Sequence, residues 1–235
     1  RFYPSSPYYS GKLCFLYTAY TFAFIDETPW SDFDERGEAG RTRMLSYYKK
    51  AYVYGTNSME AWIPGFNKKI RDKKEQDKIL ARLDRRHVET LFWMDFAWAM
   101  LILNNTADPQ LVLELETVKK IADRIEALDA SYLYGSVYAV ILAFYGGRTA
   151  AIGGNPALAQ TYFDKAMKYS AGKSLIPDYV WLRYVATQTI DKKSFEEKYK
   201  VIQAFDPEKN PEFRFINEVI RMKTEALYKK KDWLF

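Results

Sequence analysis

Apolar residues recur along this chain at steps of three and four over long stretches, so the pattern predicts helices and calls for no strand. The organising stretch runs from Leu128 to Ser170 and reads as two helices joined by a glycine-rich connection. Its second helix carries Ala159, Phe163 and Ala166, small residues around an aromatic that let two helices approach while the ring fills the gap. Its first helix, Tyr132 to Tyr145, holds Gly135 where close packing is needed. Gly146, Gly147, Gly153, Gly154 and Pro156 make the connection long.

The rest of the chain varies this theme. Residues 1–11 read as an entry loop, and Lys12 to Ile25 as a helix apolar on nearly all sides, hence buried and too short to span a bilayer. Pro29-Trp30-Ser31 breaks it, and an acidic loop, Asp32 to Glu38, leads to a helix from Gly40 to Tyr54. There Tyr48 and Ala51 repeat the aromatic-x2-Ala spacing, and Gly55 reads as the stop. A short helix near Ser58–Trp62, a Pro64-Gly65 turn and a charged segment to Arg85 belong at an edge of the molecule. Arg86 to Asn105 reads as a strongly buried helix; after a turn at Asn104–Pro109, Gln110 to Leu128 pairs with it antiparallel. Beyond the central pair come Ile176–Thr189, opened by Pro177, then Asp191–Ala204 with Asp191 as N-cap, and Glu212 to Lys230. The expectation is an all-α array of about ten helices in antiparallel hairpins, treated as one domain over 1–235, although 48% hydrophobic content also suffices for two small cores.

Charge changes the picture mainly by exclusion. The net +5 comes from 35 basic and 30 acidic residues that are interleaved, so a nucleic-acid partner has little support. Aromatics at 17% suit helices spaced by rings and would equally suit an apolar cavity. Cys14, the single cysteine, excludes an internal disulfide; it reads as a buried small hydrophobe, and the preceding Gly11-Lys12-Leu13 does not match a lipidation site. No signal peptide is visible, and the polar opening reads as the start of a processed chain.

Candidate chemistry is sparse. His87 is the only histidine and reads as a surface or cap residue, so neither a catalytic triad nor a zinc shell can be assembled, and no metal or cofactor is expected. The loop GGRTAAIGG has no phosphate-binding spacing. Glu114 and Glu116 fall on opposite sides of a helix. Asp95 stands out as the lone charge between Thr90 and Asn104; it either faces water at a groove or is buried with a partner such as Arg or Tyr. Nothing resembles an active site, so the chain is read as no enzyme.

Several strings carry a family resemblance. The segment from Ala159 to Ala166 matches the second helix of a tetratricopeptide repeat, and Ile125 to Ala130 resembles the close of such a unit. LFWMDFAWAM (91–100), ADRIEALDASYLYGSVYAVILAFYGG (122–147), GGNPALAQTYFDKAMKYS (153–170) and PEFRFINEVIRMKTEALYKK (211–230) resemble the T component associated with tripartite ATP-independent periplasmic (TRAP) transporters, as does YYKKAYVYG (47–55). The resemblance implies a cryptic tetratricopeptide-like protein, exported and lipid-anchored in the periplasm through an anchor outside this sequence, and assembled as a homotrimer. It implies binding to the transporter's solute-binding P component and transfer of a small hydrophobic ligand through an internal channel. The alternative is a scaffold holding a peptide or protein of an envelope complex without ligand transfer. Candidates for a cavity wall are Phe92, Trp93, Phe96, Tyr132, Tyr134 and Tyr138, each with ordinary core as the competing reading; Asn217 and Arg221 are placed where the last helix closes the array. Gly147, Arg148, Gly153, Gly154 and Asn155 form an exposed connector expected to meet a partner.

Overall fold

The first helix starts earlier than its hydrophobic run suggests. A computed structural model of the chain describes residues 6–26, 37–105 and 108–235, and α1 spans Pro7–Tyr20, with Pro7 at the first helical position, where a missing N–H is harmless. The entry loop therefore does not reach residue 11. The Pro29–Ser31 break and the acidic residues 32–36 lie outside the described residues. Regular structure is helical throughout, without a strand among the described residues. The described residues divide into two compact units, one of residues 6–26, 37–105 and 108–130, the other of 131–235.

In the first unit α1 runs on into a π-helical turn, Thr21–Ile25, and α2 spans Glu38–Trp62. The two are antiparallel: the Ser58 hydroxyl donates to the Pro7 carbonyl at 2.6 Å, and the Tyr48 hydroxyl to Asp26 at 2.9 Å. Gly55 does not stop α2. It is a contact glycine in the middle of a 25-residue helix, where a Cβ would lie 2.6 Å from Met94 Cβ and 2.9 Å from Cys14 Sγ. Nor is α1 buried all round. Its inward face is small, with Ser10, Gly11, Cys14 and Thr18 buried, while Tyr9, Leu16 and Tyr20 face outward.

Residues 63–84 are pinned by buried side chains: α3 (Phe66–Lys69) and α4 (Gln76–Ala81) bury Phe66 and Ile79, and Ile70 and Leu83 are buried beside them. A capping box then sets up α5, Val88–Leu103: the Arg86 N–H donates to the Asp84 side chain at 3.0 Å, and the Asp84 N–H donates to His87 Nδ1 at 3.1 Å. His87 is thus a buried cap residue. The segment expected as one helix after Pro109 is two, α6 (Pro109–Leu113) and α7 (Leu115–Asp129), joined at Glu114. Bonds from Trp98 to Glu114 and from Arg85 to Asp129 run α7 antiparallel to α5.

Cys14 is fully buried, and desolvation pushes its thiol up to about 12. We expect iodoacetamide at mildly alkaline pH to leave the folded protein unmodified and to label it stoichiometrically in denaturant; equal rates in the two states would refute the burial.

The second unit opens on a left-handed turn, not on a helix. Leu133, Tyr134 and Gly135 have φ of 45°, 57° and 77°, so the helix expected from Tyr132 begins only at α8, Ser136–Gly146. Gly135 meets the close-packing expectation, since a Cβ there would lie 2.5 Å from Tyr169 Cβ. α9, Pro156–Ser170, returns antiparallel with Ala159 and Ala166 buried, and Phe163 meets Trp181 edge-on at 5.2 Å. α10 (Ile176–Val180) continues as a π-helical segment, Trp181–Ala186. α11 (Lys192–Ala204) is capped by Asp191, which accepts from the Ser194 N–H at 2.9 Å. α12 (Arg214–Tyr228) and a short α13 (Lys231–Leu234) end the chain.

Candidate functional site

Three of the predicted wall residues come together in the first unit. Phe92, Trp93 and Phe96 lie on one stretch of α5, and α1 with its π-helical turn adds Phe15, 4.8 Å from Trp93, and Phe22, 5.4 Å from Phe96. Phe92 is buried, whereas Trp93 and Phe96 are half-buried. The result is a run of five rings between two helices, large enough to supply much of their contact energy.

One turn from these rings, Asp95 departs from both alternatives drawn from the sequence. It is buried, 1% exposed, and neither carboxylate oxygen has a hydrogen-bond partner. Desolvation pushes its carboxyl well above the usual carboxylate range, and the charge of Asp123 pushes in the same direction. The Tyr52 hydroxyl is also buried without a partner, and burial raises its pKa. The Tyr52 ring lies 5.0 Å from that of Trp98, Arg71 covers both at 5.5 and 5.2 Å, and Glu114 accepts from Trp98 Nε1 at 2.8 Å. No spacing in the sequence links Tyr52, Arg71 and Glu114 to Asp95; the loops between α2 and α7 bring them together.

Also in the first unit, a groove of about 330 Å³ between α4 and α7 is lined by Leu80, Ala81, Ala127, Asp123 and Arg124 and rimmed by the Lys120–Asp77 ion pair at 2.7 Å. None of the predicted wall aromatics lines it.

In the second unit the other candidates separate. Tyr138 is buried on α8 against Tyr162 and Tyr169, at 6.1 and 5.1 Å. Tyr145 stacks on Tyr162 at 5.8 Å, and Lys165 lies over the Tyr138 and Tyr162 rings. Tyr132 and Tyr134 sit on the left-handed turn, where Tyr134 is half exposed and meets Phe213 at 4.5 Å. Asn217 is a structural clamp: its Oδ1 accepts from the Leu175 N–H at 2.9 Å and its Nδ2 donates to the Lys173 carbonyl at 2.8 Å. Arg221 pairs with Glu218 at 3.3 Å on the same helix.

The connector holds itself together. Gly147 caps α8, and Arg148 lies over the Phe144 ring at 3.6 Å while donating to the Phe144 and Gly153 carbonyls. The Gly154 N–H donates to Thr149 and the Asn155 N–H to Tyr145, after which Asn155 caps α9. Residues 149–153 are exposed.

The profile of the TRAP transporter T-component family matches residues 3–235. The chain belongs to that family. This T component is also similar to an uncharacterized protein of Treponema pallidum (strain Nichols), 26% identical over 203 residues that cover 83% of this chain and 62% of the relative. It thus spans a little under two thirds of that relative's length. The family is transport-associated. Among the described residues, no helix of the T component is long and apolar enough to cross a membrane.

Gly154 is the connector position least tolerant of change, because a Cβ there would stand 1.9 Å from the Arg148 carbonyl oxygen. We expect Gly154→Ala to remodel residues 148–154 and raise their amide exchange, with a small change in global stability. Exchange protection identical to wild type would contradict this.

Proposed function

We propose that this T component is a non-enzymatic periplasmic adaptor of a TRAP-type solute transport system, held at the membrane by a lipid anchor and assembled as a homotrimer. In this reading it binds the solute-binding P component and passes a small hydrophobic ligand to or from it. The observation that carries the reading is the family match along nearly the whole chain.

The aromatic run of Phe92, Trp93 and Phe96 supports an apolar ligand, since rings offer large contact area at low entropic cost. The internally bonded connector of residues 147–155, exposed over 149–153, supports a partner contact, because a loop that keeps its shape loses little entropy on docking. The test is co-elution of the purified T component with its cognate P component, followed by solvent extraction and mass spectrometry of the complex. Absence of a complex would sink the adaptor reading. A complex that yields no small molecule would leave a protein scaffold in its place.

A further inference from the structure

Arg71 lies in a corner of the first unit that is shaped to hold a cation. Its guanidinium covers two ring faces at once, 5.5 Å from the centre of Tyr52 and 5.2 Å from that of Trp98. The rings are 5.0 Å apart and inclined at 46°, so they form two walls and not a flat stack. Glu114, at the joint of α6 and α7, supplies the third: Trp98 Nε1 donates to one of its carboxylate oxygens at 2.8 Å, and Arg71 Nε donates to the other at 3.3 Å. Aromatic faces beside a carboxylate are the surroundings in which guanidinium and alkylammonium groups bind.

The walls are fixed and the occupant is loose. Trp98 is 1% exposed, and its indole N–H orients Glu114. The turn that carries Arg71 is tied down at its base, since buried Gln76 donates to the Ile70 carbonyl at 2.8 Å and to Thr117 Oγ1 at 2.9 Å. Beyond that base the Arg71 side chain is 46% exposed and is joined to Glu114 by one long contact, an ion pair with which water and salt compete. Behind the corner stand two buried polar groups without a hydrogen-bond partner, the Tyr52 hydroxyl and, one turn before Trp98 on α5, the Asp95 carboxyl. The Tyr52 hydroxyl feels the charges of Arg71, Glu114 and Asp95 together. Unsatisfied groups of this kind destabilise a fold, and their concentration in one place is a mark of sites kept for binding.

We infer that Arg71 is the built-in occupant of a binding site, and that the corner of Tyr52, Trp98 and Glu114 takes a small organic cation of the guanidinium or alkylammonium class when Arg71 swings out to solvent. The site is separate from the partner contact and the apolar ligand of the function proposed above and does not depend on them. The resident guanidinium sets the character of the guest: a compact head with one positive charge and N–H groups for Glu114. A hard metal ion matches poorly, because two rings and a single carboxylate offer too few oxygens. Arg71 competes with any guest from a tether, so its contact is self-inhibiting, and a guest enters where it is abundant or where the rest of it adds contacts.

The test titrates methylguanidinium at millimolar concentration into the protein and follows the Trp98 indole N–H by NMR, with sodium chloride at equal ionic strength as the control. Arg71→Ala is expected to show a saturable shift at a concentration about tenfold or more below that needed by wild type, because the tethered competitor is gone. Adding Glu114→Gln to Arg71→Ala is expected to weaken binding about tenfold or more. Arg71→Gln, which keeps a stem over the rings, repeats the measurement, so that a disturbed fold in Arg71→Ala, checked by circular dichroism, does not decide it. Absence of a saturable shift in both Arg71 variants overturns the site, as does a shift that sodium chloride reproduces or that Glu114→Gln leaves unchanged. Wild type binding as tightly as the variants overturns the role of Arg71 as occupant.

Discussion

Asp95→Leu makes this protein more stable, by about 2 kcal/mol near neutral pH, because it replaces a buried carboxyl with no hydrogen-bond partner by an apolar side chain of similar branching. Most core substitutions cost stability, so the expected sign is informative. The pH dependence follows from the raised carboxyl. Below about pH 4 both folded and unfolded chains carry the proton and Asp95 contributes no slope. Above that, the unfolded chain gives up its proton first while the folded chain keeps it. Wild-type stability then falls by up to about 1.4 kcal/mol per pH unit until the raised folded value is reached. Asp95→Asn, which cannot ionise, lacks this contribution. Urea midpoints from about pH 5 to about pH 8 check the point: the gap between wild type and Asp95→Asn should widen as pH rises. Parallel curves would mean that the carboxyl is ionised and satisfied in the folded state.

Gly55→Ala goes the other way, and here two effects oppose each other. Alanine favours the interior of α2 by about 1 kcal/mol over glycine. Against that, its methyl would lie 2.6 and 2.7 Å from Met94 Cβ and Cγ and 2.9 Å from Cys14 Sγ. Met94 Cγ can rotate away, but Met94 Cβ is fixed to the α5 backbone, so α2 and α5 must separate or tilt. Overpacking of this kind costs about 1–3 kcal/mol and often more when backbone moves. We expect a net loss of about 2 kcal/mol in chemical denaturation. A gain would show that helix propensity outweighs the contact.

Much of the helical framework was legible because it depends on local signals. Asp191 announces α11 as its capping residue, and Ala159, Phe163 and Ala166 carry their packing role in their spacing. What failed was non-local. Gly55 looks like a C-cap from the residues around it, and only Met94 and Cys14, 39 and 41 positions away, make it a contact glycine. The run from Lys12 to Ile25 reads as buried on all sides because hydropathy says nothing of size; the clue was the stripe Ser10, Cys14, Thr18, Thr21 at steps of four, four and three, which marks the inward face. The left-handed residues Leu133 and Tyr134 carry no local signal, since both side chains disfavour that conformation. Among the candidate site residues, the α5 aromatics stand together because one helix carries them. Asn217 was expected where the last helix closes the array, and its clamp on the 173–175 backbone could not be seen without the fold.

The π-helical turn at Thr21–Ile25 also has a genetic meaning. Wide turns of this kind hold one residue beyond the α-helical count, so the segment amounts to a single-codon insertion tolerated inside a continuous helix. Losing any one of those five codons would let an ordinary α-helix close. Asp26, which accepts from the Tyr48 hydroxyl, would keep its place, because the residue lost is the one the wide turn had absorbed. Length variation among relatives at this point would therefore be read as the gain or loss of a wide turn within a continuous helix, and not as a loop polymorphism.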